Sequence, residues 1–177
     1  NIVNGGFLLT AGGDDTSTAY NGVLSGAGGL TKTGTGTLTL SGANTYTGAT
    51  TISDGGLTTG GAAKIDDASA MSVSSGATLT LGGAETVGSI AGDGNIVNGG
   101  VRKSVGGGKR GAVGGGGIFG NRGLKKTGRG KLTLTGANTY TGATTSSEGG
   151  LTTGGAAKRD AASAMSVSSG TTVTRWR

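Results

Sequence analysis

The chain contains no Cys and no His, so any chemistry it does falls to carboxylates, cations and hydroxyls. Asp14-Asp15 and Asp66-Asp67 are the adjacent carboxylate pairs. Glycoside hydrolysis needs two carboxyls facing one bond, about 5 to 9.5 Å apart. Neighbours on a strand point to opposite faces, so these pairs read as turn residues. Where the first half has Asp66-Asp67, the second has Asp160-Ala161. Composition excludes a Ser-His-Asp triad, thiol chemistry, disulfides and the usual zinc sites. Gly106-Gly107-Gly108-Lys109-Arg110-Gly111 fits G-x-G-x-x-G by spacing. A nucleotide site also needs a strand before that motif and a helix after it, and neither is signalled. The expectation is a non-enzymatic protein with no catalytic residue, no metal and no cofactor.

The cations are less evenly spread. The net charge of +6 divides into −5 over residues 1–94 and +11 over residues 95–177. No carboxylate lies between Asp93 and Glu148, a gap that includes Lys125, Lys126, Arg129 and Lys131. These four are the candidate polyanion-binding residues, for lipopolysaccharide, sulfated glycan or nucleic acid. Phe119 is the only aromatic between Tyr46 and Tyr140. A base-stacking platform is therefore missing, and no specific nucleic acid is expected. The competing reading is a solvated basic face without a ligand.

Gly, Thr and Ser supply about half of the 177 residues, with 43 Gly and no Pro. Leu, Ile, Val and Phe are scarce, so order must come from pattern. A long repeat supplies it. Asn1-Ile2-Val3-Asn4-Gly5-Gly6 recurs as Asn95-Ile96-Val97-Asn98-Gly99-Gly100, an offset of 94 residues. Leu30–Gly76 and Leu124–Gly170 differ at 8 of 47 positions. The chain thus divides into a first unit, 1–94, and a second, basic and partly divergent unit, 95–177. Residues 101–123 are a Gly/Arg-rich candidate for a flexible link. With no signal peptide before Asn1 and no closing motif at Arg177, the chain is expected to be part of something longer.

The local period is two. From Leu30 to Ser53 every odd position is Thr, Ser or Ala, while Leu38, Leu40, Tyr46 and Ile52 fall on even ones. This alternation means β-strand, with the even residues facing a core. Lys125, Arg129 and Lys131 take the outward parity and are expected to form a basic stripe on one face. Thr35, Thr37 and Thr39 face outward as well. Further strand runs are Met71–Val73, Leu79–Leu81, Val87–Ile90 and Ile96–Val97. Only Ala62–Met71 has a helix-forming composition. Short, even strands suit a sandwich, a barrel or a solenoid; the long repeat favours a solenoid, whose coils bury a thin aliphatic core. A 94-residue unit would hold several coils with periods in the twenties, giving roughly seven or eight coils in all. Asn44 and Asn138 fall on the inward parity, where they would bond turn backbone or stack as a ladder.

The stretch Lys32-Thr33-Gly34-Thr35-Gly36-Thr37-Leu38-Thr39-Leu40, then Asn44-Thr45-Tyr46-Thr47-Gly48-Ala49-Thr50 and Gly55-Gly56-Leu57, resembles the autotransporter-associated β-strand repeat. A second copy runs from Lys126 to Leu151. The resemblance implies a right-handed parallel β-helix in the passenger domain of a type V secreted protein. It also implies export through the outer membrane, display at the bacterial cell surface, and a C-terminal translocator barrel in the same polypeptide. The expected role is a non-catalytic stalk, with an adhesive module for acidic glycan or lipopolysaccharide as the alternative. The second copy departs at Ser146, Arg159 and Arg175, which replace Ile52, Ile65 and Leu81.

Overall fold

A computed structural model of the chain describes residues 1–60, 65–66, 69–83, 86–98, 103–105, 111–113, 117–120, 123–127, 129–153, 165–168 and 171–175. Every element among them is a strand, and every strand pairing is parallel. The chain is all-β and winds as a three-sided parallel β-helix.

Face one is the longest sheet. It stacks nine strands among the described residues, running in chain order from Leu9–Ala11 and Leu30–Lys32 to Gly150–Thr153 and Thr172–Arg175. This is close to the seven or eight coils expected. At about 4.8 Å per strand, eight steps give a rod roughly 35–40 Å long. Face two stacks Thr18–Tyr20, Thr37–Leu40, Gly56–Thr59, Thr78–Leu81, Asn95–Asn98 and Ile118–Gly120. Face three holds two sheets. One comprises Ile2–Val3, Leu24–Gly26 and Thr45–Tyr46; the other begins at Thr86–Val87 and ends at Met165–Val167. Ser69 links them, donating from Oγ to Gly48 O and accepting at its own carbonyl from Gly88 N.

The register measures the coil. Leu9, Leu30, Thr50, Met71 and Ile90 are successive partners on face one, at steps of 21, 20, 21 and 19 residues. Alternation persists round the corners. Even residues from Leu30 to Ile52 are buried or half-buried, with Leu38, Leu40, Tyr46 and Ile52 all in the core. Their counterparts Leu132, Leu134, Tyr140 and Ser146 are also buried. Strand geometry forces this, since successive side chains leave opposite sides of the pleat.

Corners account for much of the glycine. Gly34 has φ of +71°, and a Cβ built there would lie 1.9 Å from Gly12 O in the preceding coil. Neither the dihedral nor the space admits a side chain. The run Val87–Ile90, read from sequence as one strand, is divided by such a corner. Thr86–Val87 lies on face three and Ser89–Gly92 on face one. Ala70–Val73 is a strand, so the helix-like composition of Ala62–Met71 does not govern its last residues. Tertiary pairing with Thr50–Ile52 and Ser89–Gly92 overrides that preference.

Within residues 101–123, Lys103–Val105, Gly111–Val113 and Ile118–Gly120 are strands that continue the three faces. The remainder of that stretch, including most of the G-x-G-x-x-G match, lies outside the described residues. So do Asp67, Arg159 and Asp160.

Candidate functional site

Because a coil is about 20 residues, an offset of 94 is not a whole number of coils. Four coils carry Leu9 to Ile90 on the same face, and 13 more residues reach Lys103 on face three. The second unit is therefore turned by one face relative to the first. Leu30–Lys32 lies on face one, but Leu124–Lys126 lies on face three; Thr37–Leu40 lies on face two, but Lys131–Leu134 lies on face one.

This rotation places the predicted cations. Lys125 is exposed on face three, and Lys131 is exposed on face one. Arg129 is exposed in the corner between them. The expected stripe on a single face is thus corrected to a corner, because Leu124–Lys126 and Lys131–Leu134 belong to consecutive sides of one coil. Lys126 does not join the other three. It is buried, and its ammonium donates to Thr127 O at 2.8 Å and Glu148 O at 3.3 Å. Burial lowers its pKa below the ordinary lysine value, opposed by the carboxylate of Glu148. Lys32 does the same work in the first unit, fully buried with Nζ donating to Thr33 O and Gly34 O at 2.5 and 2.8 Å. The stem of each lysine fills the core while its head satisfies corner carbonyls that no strand reaches. Even parity marked these lysines as inward in the sequence.

Two further polar devices recur at the 94-residue offset. Asn44 Oδ1 accepts from Leu24 N at 2.9 Å, and Asn138 Oδ1 accepts from Ile118 N at 3.0 Å. Each asparagine thus ties its corner to the coil before it, bonding backbone as expected of the inward Asn. Tyr46 OH lies 2.7 Å from Thr50 Oγ1, and Tyr140 OH lies 2.6 Å from Thr144 Oγ1. These buried pairs let an aromatic ring enter the core without an orphaned hydroxyl.

The first carboxylate pair is occupied in a turn. Asp14 Oδ2 accepts from Thr16 Oγ1 at 2.9 Å, and the Thr16 hydroxyl and amide hold the Asp14 carboxyl below its usual pKa. Asp15, at φ of 61°, accepts from Thr35 N at 2.8 Å in the next coil. The Asp66 carbonyl accepts from Ser69 N. These contacts are those of turn residues.

Buried Lys, inward Asn and the Tyr–Thr pair form one structural unit, present twice. Residues 30–58 and 124–152 each match the passenger-associated transport repeat. The two matched stretches make up 58 of the 177 residues. The match covers both stretches that resemble the autotransporter passenger motif, and each transport repeat spans rather more than one coil. Comparison with curated proteins and with solved structures finds no match.

Proposed function

We propose that the chain is a structural segment of a secreted autotransporter passenger, a β-helical stalk that holds other parts of the polypeptide away from the cell surface. The observation that supports it most is the uninterrupted stacking of both transport repeats in one nine-stranded sheet. A rod whose coils contact only their neighbours is stiff, and it folds by successive addition of coils. That order of folding also suits a chain threaded outward through a barrel. The reading carries three consequences: export across the outer membrane, residence at the cell surface, and a translocator barrel in the same polypeptide. It assigns no catalytic residue.

The test is to fuse the chain upstream of a translocator barrel in a Gram-negative cell, with a label fused ahead of its first residue and kept in the deletion variant. The label should become protease-accessible from outside. Deleting residues 1–94 should lower it by about 22 Å, four and two-thirds coils at about 4.8 Å each. A label retained inside the cell, or one whose height does not change, would contradict a stalk.

A second reading rests on the exposed corner of Lys125, Arg129 and Lys131, remote in sequence from any carboxylate before Glu148. It would bind acidic glycan or lipopolysaccharide as a cationic edge. Retention on heparin at physiological salt, lost when the three are changed to Gln, would favour it. Elution at low salt would mark an ordinary solvated charge cluster.

A further inference from the structure

Three residues, Ser53-Asp54-Gly55, turn the chain from Thr50–Ile52 on face one to Gly56–Thr59 on face two. Gly55 makes the turn with φ of +61°. Its amide donates to the carboxylate of its own neighbour, Asp54 Oδ1, at 2.7 Å. Asp54 is exposed, so water reaches the pair. A backbone nitrogen is thus held against the side-chain carboxyl of the residue before it, with Cγ one bond behind Oδ1. That is the approach needed for ring closure between the two, and no side chain on the glycine obstructs it.

Other Asx-Gly pairs are held differently. The second Asp-Gly pair is Asp93-Gly94, and there the glycine amide donates to Val73 O at 2.9 Å in the preceding coil. Asn4 and Asn21 also precede glycines, but their side chains are tied to the following coil. Asn4 Oδ1 accepts from Gly28 N at 3.0 Å, and Asn21 Oδ1 accepts from the Ser41 hydroxyl. The second repeat has the same corner, with Gly149 at φ of +68°, but Glu148 stands before it. Its extra methylene would require a six-membered ring, which closes far more slowly than a five-membered one.

The geometry points to Asp54 as a site of spontaneous covalent modification, where the chain converts to isoaspartate through a succinimide. Gly55 N attacks Asp54 Cγ. The N–Cγ bond forms, the nitrogen gives up its proton, and a carboxyl oxygen leaves as water. Water then opens the ring. Cleavage at Cγ restores aspartate; cleavage at the backbone carbonyl leaves Gly55 joined through Cγ. Water is the only co-reactant, and the net mass does not change. The product carries one more carbon in the backbone at a corner with no slack. A Cβ built on Gly55 lies 2.4 Å from Gly36 O and 2.5 Å from Gly34 O. The bonds that flank it, Gly56 N to Gly36 O and Thr78 N to Gly55 O, join three successive coils. Conversion therefore loosens the rod at one corner.

Incubation of the full chain in oxygen-18 water tests this, because each passage through the succinimide leaves one heavy oxygen at the site. Tryptic peptides locate the label, and electron-transfer fragmentation separates isoaspartate from aspartate. Label should enter at Asp54 at least about threefold faster in the folded chain than in the same chain unfolded in guanidinium, because folding holds the reacting groups together. At Asp93 the order should reverse. Asp54→Glu, with its fold checked by circular dichroism, should take up no label at residue 54. In aged chain, exchange of the Gly56 and Thr78 amides should quicken. Labelling at Asp54 that is no faster folded than unfolded overturns the proposal. So does labelling of the folded chain at Asp93 as fast as at Asp54, since the corner would then confer no selectivity.

Discussion

Ser146 is the register partner of Lys126 in the next coil of face three, as Ile52 is of Lys32 on face one. Ser146 is fully buried, and its hydroxyl has no hydrogen-bond partner among the described residues. The second repeat thus holds an orphaned polar atom where the first holds an aliphatic side chain. Ser146→Ile should stabilise the protein by about 1–2 kcal/mol, removing an unsatisfied hydroxyl and adding apolar burial. A rise in the urea midpoint at unchanged slope is the expected reading. A midpoint that stays or falls would mean the coil has relaxed around serine.

Gly34 and Gly76 separate two glycine effects. Both have positive φ, at +71° and +84°. A Cβ at Gly76 meets nothing within 4 Å, whereas at Gly34 it meets Gly12 O at 1.9 Å. Gly76→Ala should cost about 1 kcal/mol, from backbone strain alone. Gly34→Ala should cost at least about 2 kcal/mol more, because the coil spacing itself must open. Equal losses in chemical denaturation would contradict the corner packing.

Asn138 accepts from Ile118 N and donates from Nδ2 to Gly136 O at 2.8 Å. Asn138→Ala would strand a buried amide and a carbonyl together. The expected cost is about 2–3 kcal/mol, with hydrogen exchange of the Ile118 amide accelerated beyond the global change. Asn44→Ala should do the same to the Leu24 amide. Exchange at Ile118 or Leu24 that tracks only the global stability would argue against this link.

Lys126 gives a pH dependence of known sign. Its folded-state pKa is lowered by burial from the model-compound value of 10.5. Between the lowered value and 10.5, the unfolded chain binds more protons than the folded one, so stability rises with pH there. Below the lowered value both states are protonated, and the folded state bears the cost of the buried charge. Lys126→Met should remove this alkaline rise in thermal or urea unfolding while keeping the stem's packing. An identical alkaline profile in the variant would contradict the assignment.

Period-two alternation made the strands and the inward Leu, Tyr and Asn legible in the sequence; Lys126 has the same inward parity but was grouped with the exposed cations by its charge, and the structure buries it. Alternation is a local property: Cβ directions are fixed by the pleat, whatever the strand packs against. The transport repeat was equally legible, because its corner glycines and buried polar residues are contiguous. Not legible was the face on which each copy sits. That depends on the running total of coil lengths, 21, 20, 21 and 19 residues, each set by which strands pair. The remainder left by 94 residues sends Lys125 and Lys131 to different faces. Likewise, Ile2 and Ile96 sit in identical hexapeptides, and only the stacking of Thr78–Leu81 makes one core and the other surface. The sequence by itself determined which residues point inward. Tertiary structure decided which face they occupy and which of them are covered, because burial requires a neighbouring coil and local sequence cannot specify one.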